Sequence, residues 1–200
     1  MKRLLLFTTA LMLSLSTYAQ ERGYEKSVEI KGAIGLDERA DFGFGAYMVN
    51  GYRFNPYLFV GAGVGYEFLK GLYYHIYQYK GQYLPSSSHD SKENQSIIQL
   101  YARIKANFTN SRISPYVSLD LGNSFNLNST DEIKMAKGFF FEPALGCDFR
   151  FNEKQTFYVA LGYNNQHYEY EFISTTLGNA GHEIMDKPSG TFNVHLGLKF

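Results

Sequence analysis

Residues 191–200 read T-F-N-V-H-L-G-L-K-F. In an extended chain Phe192, Val194, Leu196, Leu198 and Phe200 fall on one face, and Thr191, Asn193, His195, Gly197 and Lys199 on the other. This unbroken two-residue period constrains the chain more than any other feature. It describes a strand with an apolar medium on one side and a polar one on the other. A helix would need apolar residues three as well as four apart, and no two of these apolar residues stand three apart.

The pattern recurs along the chain. Strands are predicted at about 27–36, 42–54, 57–68, 97–108, 115–127, 138–151 and 156–172, with the closing strand at 191–200. The connections at 55–56, 109–114 and 152–155 are short. Those at 69–95, 128–137 and 173–190 are long, and 37–41 is a brief polar loop. The serine-rich half of 69–95, S-S-S-H-D-S-K-E-N-Q, reads as loop. Pro143, on the apolar face of its strand, predicts a bulge or a weakly paired end. Beyond Tyr163 the alternation loses phase, which predicts a second bulge. An even count of strands returns both termini to the end with the short turns. The expected fold is all-β, an eight-stranded antiparallel up-and-down barrel.

Composition agrees. Of 200 residues, 17 are Tyr, 17 Phe and 19 Gly, with 5 Pro and no Trp. No run outside the N-terminal segment is long and apolar enough for a spanning helix, so a membrane-crossing chain of this kind must close into a barrel. The N-terminus starts with Lys2 and Arg3, continues with an apolar run over 4–15 and reaches Thr17-Tyr18-Ala19. This describes a signal peptide cut after Ala19, with a barrel domain at 20–200. Without Lys2 and Arg3 the 19 basic residues become 17, against 19 acidic ones, so nucleic acid is not an expected partner. Cys147 falls at an apolar strand position and reads as a small hydrophobe.

The polar face distinguishes a membrane barrel from a soluble one. It carries Gly43, Gly45, Gly61, Gly63, Gly65, Gly122, Gly146, Gly162 and Gly197. Glycine is costly on a solvated strand, whereas a narrow eight-stranded lumen has room for little else. The same face carries Lys31, Arg53, Arg103, Lys105, Arg150 and Lys199 against Glu29, Glu67, Asp120, Glu142 and Asp148. These charges are expected to pair across the lumen and plug it. Aromatics near strand ends, among them Phe54, Tyr57, Phe68, Phe108, Phe149, Phe151 and Phe157, suit interfacial girdles.

Other motifs are weaker. Ser86 to Asp90 supplies the residue types of a hydrolytic triad, but adjacent residues cannot form its spatial relay, and the stretch reads as a solvated loop. His75, His167, Ser174, His182 and Glu183 stand at the level where a barrel resembling the lipid-modifying ones would act on lipid, but no motif of such enzymes is matched residue by residue. Tyr73, Tyr74, Tyr77, Tyr79 and Tyr83 could meet a glycan or protein ligand, or simply extend the third strand beyond the membrane beside the fourth. His195 reads as a lumen hydrogen-bonding residue, since no second metal ligand stands at fixed spacing. No cofactor is expected.

The chain resembles the small outer-membrane β-barrel proteins of Gram-negative bacteria, in particular the PorT-like and OmpA-transmembrane-like group of Bacteroidetes-type organisms. The likeness rests on the N-terminal segment, the eight amphipathic strands, F-E-P-A-L-G at 141–146 and the terminal Phe200. It implies residence in the outer membrane among its lipids. It also implies that the assembly machinery reads Phe192, Val194, Leu196, Leu198 and Phe200. A non-enzymatic barrel, structural or binding through its extracellular loops, is the expected function. The alternatives are a lipid-modifying enzyme and a narrow or secretion-associated channel.

Overall fold

The computed structural model describes residues 23–36, 42–79, 85–127, 133–135, 138–152, 155–173 and 182–200, with side chains described outside 71–93, 133–135, 168–173 and 182–189. The strands are β1 (Gly23–Gly35), β2 (Phe42–Asn55), β3 (Leu58–Tyr79), β4 (Pro85–Asn107), β5 (Ile113–Asn126), β6 (Ile133–Met135), β7 (Gly138–Arg150), β8 (Thr156–Ile173) and β9 (His182–Lys199). All pairings are antiparallel. Eight strands form a ring in which β9 pairs with both β8 and β1. Among the described residues, β6 stands outside it and pairs with the far end of β8.

The register sets the barrel's dimensions. Partners followed around the wall run Gly23, Arg53, Phe59, Lys105, Ser118, Ala144, Gly162, Asn193 and back to β1 at Ala33, ten residues above the start. A shear of ten over eight strands tilts them by about 40° and gives a backbone radius of about 8 Å. Such a lumen holds side chains and little more.

Alternation decides which side chains enter it. Leu145 and Leu161 are 67% and 63% exposed on the outside, whereas Lys31 and Glu142 are 2% and 1% exposed inside. Outward aromatics cluster toward both rims. At the end with the short turns the Tyr52 and Phe54 rings lie 5.2 Å apart, and Phe149 and Phe157 6.3 Å. At the other end Phe44 and Phe68 lie 5.7 Å apart.

Glycines face inward where a neighbouring strand sends in a ring. Tyr47 is registered directly with Gly65, Tyr101 with Gly63, Tyr116 with Gly146 and Tyr158 with Gly197. A Cβ built at any of these four glycines would collide with its partner ring. A tyrosine opposite a glycine therefore fills the narrow interior without forcing the strands apart.

Several expectations are corrected. β3 and β4 continue as a paired ribbon to Tyr79 and Pro85, so the serine-rich segment is strand, opposite the tyrosine-rich one. β9 starts at His182 rather than at 191, and β1 starts at Gly23 rather than at 27. No bulge forms at either predicted place, although β7 is weakly paired toward β8 at Pro143, the other outcome expected there. The β5–β7 register is constant through Pro143, and the β7–β8 ladder skips Glu142 and Pro143 but resumes unshifted. The β8–β9 register is constant from Thr156 to Ile173. The observed shifts lie between Arg53 and Asn55 and in the β3–β4 ribbon, at Leu69/Leu72 and Gln78/Tyr79.

Candidate functional site

The inward face assembles its charges in tiers. Nearest the short turns, Arg53 clasps Glu25 through Nε to Oε2 at 2.6 Å and Nη2 to Oε1 at 3.2 Å. Lys199 Nζ lies 2.9 Å from Asp148 Oδ2 and 3.7 Å from Glu25 Oε1. Lys105 Nζ donates to Asp148 Oδ1 at 2.7 Å and stands 3.5 Å from the Tyr116 ring centroid. Asn107 Nδ2 completes the Asp148 shell at 2.9 Å.

Arg103 holds the middle tier. Its Nη1 and Nη2 donate to Glu29 at 2.8 and 2.9 Å, and its Nε and Nη2 donate to Asp120, both at 2.7 Å. The Tyr158 hydroxyl donates to Glu29 at 2.6 Å. One planar guanidinium thus satisfies two carboxylates on different strands, a geometry that lysine's single point of charge cannot reproduce.

Glu142 gathers the next tier. Lys31 Nζ donates to it at 2.7 Å and Asn193 Nδ2 at 2.9 Å, while His195 Nε2 lies 2.6 Å away. His195 Nδ1 lies 3.6 Å from Glu29 Oε1, so both ring nitrogens face carboxylates and the ring joins the two tiers. Farther up, the Tyr47 hydroxyl donates to Glu67 at 2.7 Å. Gln99 reaches Gln166 at 3.5 Å, and the Gln166 amide donates to Ser124.

Several of the pairs join strands that are not neighbours in the wall. Lys31–Glu142 links β1 to β7, Arg103–Glu29 links β4 to β1, and Lys105–Asp148 links β4 to β7. Burying a charge is costly and burying it unpaired is prohibitive, so the network ties the inner faces of opposite walls together.

Most of the expected lumen residues meet here: Glu29, Lys31, Arg53, Arg103, Lys105, Asp120, Glu142, Asp148 and Lys199. Glu67 is buried with them and accepts a hydrogen bond from the Tyr47 hydroxyl. Arg150 lies at the turn rim, where Nη2 donates to Asn110 Oδ1 at 3.1 Å. His195 sits in the lumen among hydrogen-bond partners, as its place on the polar face predicted. Glu25 was missed because it precedes the predicted first strand. Asn193, Tyr158 and Phe140 were missed because their roles depend on cross-strand register. Cys147 is half-buried on the outward face.

Outside the lumen, Tyr73, Tyr74, Tyr77 and Tyr79 lie on β3 where it continues beyond Lys70, opposite Lys92, Ser91, Ser88 and Pro85. Tyr83 and Ser174 lie outside the described residues. His75 is registered with Asp90, His167 with Pro188, His182 with Ile173 and Glu183 with Phe172.

An apolar exterior around a charged interior is the inverse of a soluble barrel. Residues 7–200 match the family model described as outer membrane protein beta-barrel domain. The chain belongs to that family. Its fold matches the outer membrane protein OprG from Pseudomonas aeruginosa with a TM-score of 0.59 at 12% identity, covering 88% of this chain and 95% of that one. Neisserial surface protein A gives a TM-score of 0.49 at 16% identity, over 90% and 98% of the two chains. The N-terminal barrel of Pseudomonas aeruginosa OprF gives 0.47 at 15%, over 90% and 100%. No curated protein sequence matches the chain. The outer-membrane barrel therefore turns Val28, Ile30, Leu145, Leu161 and Leu196 toward lipid and keeps its ion pairs within.

Proposed function

We propose that this outer-membrane barrel neither conducts nor catalyses, and that its role is structural or binding, exercised at its extracellular face. The observation that supports this most is the Arg103 cluster. It spans the lumen from β4 to β1, with further pairs directly above and below it. In a lumen about 8 Å in backbone radius, side chains locked in this way leave no continuous water path and act as a plug. The buried acids and bases satisfy one another instead of lining an open cleft, which favours a non-enzymatic reading over lipid chemistry.

On this reading, 1–19 is a cleaved signal peptide, and the assembly machinery recognises the β9 pattern from Phe192 to Phe200. The short turns are periplasmic and the β3–β4 and β8–β9 extensions are extracellular. The tyrosines of the β3 extension then stand where a glycan or protein ligand would meet them. The test is planar-bilayer conductance of the purified protein. The proposal expects no resolved current steps from the parent, and steps only when Arg103→Ala is combined with Glu142→Ala. Steady steps from the parent would overturn it.

A further inference from the structure

Among the described residues, the ring of strands is incomplete above the membrane belt. The β2–β3 ladder is described as far as Phe42↔Lys70, whereas β3 is paired with β4 as far as Tyr79↔Pro85. Among the described residues, 71–79 of β3 therefore has no neighbour on its β2 side. Among the described residues, β4 is likewise unpaired toward β5 above the bond from the Leu127 N–H to the Ser96 carbonyl, and β9 toward β1 above the bond from the Leu36 N–H to the Gly190 carbonyl. An unpaired strand edge presents a row of backbone donors and acceptors to any extended chain that reaches it, and proteins blunt such edges with charge and proline.

Two of these three edges are blunted. The free stretch of β4 contains Pro85, Asp90, Lys92 and Glu93. That of β9 contains Glu183, Asp186, Lys187 and Pro188. Pro188 is also placed to block. The Leu36 N–H donates to the Gly190 carbonyl at 3.1 Å, so even-numbered β9 residues face the β1 side, and Pro188 offers no N–H there. The β3 stretch, G-L-Y-Y-H-I-Y-Q-Y, contains no Pro, Asp, Glu, Lys or Arg. It is rich in residues that favour strands.

We infer that the β3 edge at 71–79 is a docking site for an extended segment of a partner polypeptide, which adds as a strand above the end of β2 and continues the β2–β3 ladder. This names the kind of partner for the extracellular binding role and rests on that reading. The occupant is polypeptide because the unmet groups are backbone amides and carbonyls spaced for a strand. It is not a second copy in the same membrane. Two copies share one orientation, so their β3 strands run the same way, and an in-register pair about a twofold axis along the membrane normal would set N–H against N–H.

The test uses the full-length protein in lipid nanodiscs. The probe is a fluorescent ten-residue peptide of alternating Thr and Val with a photo-crosslinker at its centre. Saturable binding by anisotropy with crosslinks within 71–79 is expected. Tyr73→Lys, Tyr74→Lys, His75→Lys and Ile76→Lys together should weaken binding roughly tenfold or more, because they place charge on the edge in either phase. N-methylation of alternate peptide amides should abolish it. The inference is overturned if anisotropy stays flat to millimolar peptide, if binding survives N-methylation, or if crosslinks fall in 85–94 or 182–189. Conductance of the same preparation separates the two ideas. Current steps would sink the non-conducting reading alone, and failed peptide binding would sink the edge alone.

Discussion

Gly65→Ala should destabilise the barrel out of proportion to one methyl group. A Cβ at Gly65 would fall within 2.6 Å of Tyr47 Cγ, Cδ1 and Cε1, and ordinary contact begins at 3.4 Å. The ring would have to retreat by about 1 Å or more. It is held on three sides. Its hydroxyl donates to Glu67 at 2.7 Å, Lys31 Nζ lies 4.4 Å from its centroid and the Tyr101 ring lies 6.2 Å away. Overpacking a rigid core costs about 1–3 kcal/mol, and losing a hydrogen bond to a carboxylate adds about 1.5–3 kcal/mol where the ring cannot pivot around it. A loss of about 2–4 kcal/mol is expected.

Urea titration of protein folded into lipid vesicles, with the folded fraction scored by mobility on unheated gels, measures it. Two controls sharpen the result. Gly32 faces outward with nothing within 4 Å of a built Cβ, so Gly32→Ala should stay within about 0.5 kcal/mol of the parent. In a Tyr47→Ala background the Gly65→Ala penalty should shrink by about 1–3 kcal/mol, because the colliding ring is gone. A neutral Gly65→Ala, or a penalty unchanged without the ring, would refute the interlocking of tyrosine and glycine across β2 and β3.

Arg103→Met leaves Glu29 and Asp120 buried without their cation and should cost about 3–5 kcal/mol in the same titration, with little recovery from Arg103→Lys. Leu161→Arg puts a charge on the lipid face and should cost about 2–4 kcal/mol if the position lies near the bilayer midplane. Deleting Phe200 should lower the amount of folded protein reaching the outer membrane of cells several-fold, roughly, while leaving refolding in detergent nearly unchanged. Equal losses in both settings would mean that the residue acts through its paired backbone bonds with Lys26.

Within the membrane belt the architecture could be read from the sequence because one face of each strand must be apolar there. That requirement made Phe192 to Phe200, Val60 to Val64 and Ile98 to Ile104 unmistakable. Beyond the belt neither face has to be apolar, so the strand continuations at 85–95 and 182–190 carry no periodic signal and resemble loop. The apparent loss of phase after Tyr163 has the same origin. The strand stays in register, but the medium around it changes.

The composition of the lumen was legible, and its wiring was not. Glu142 and Lys31 stand 111 residues apart, and only the shear of the closed barrel brings them face to face. Phe140 hides within the run Phe139-Phe140-Phe141, where composition gives no parity, yet it is the fully buried one. Tyrosines opposite glycines escape a single-strand reading for the same reason, since the pairing belongs to two strands at once.

The central claim is that the apolar face meets lipid and the charged face meets the lumen. The chain contains no Trp, so a single introduced tryptophan reports its surroundings cleanly. The decisive measurement is fluorescence quenching by lipids brominated along their acyl chains, made on Leu161→Trp and Phe140→Trp folded into vesicles. The structure predicts strong quenching at position 161 and little at position 140. Strong quenching at 140 with none at 161 would turn the barrel inside out and contradict the account.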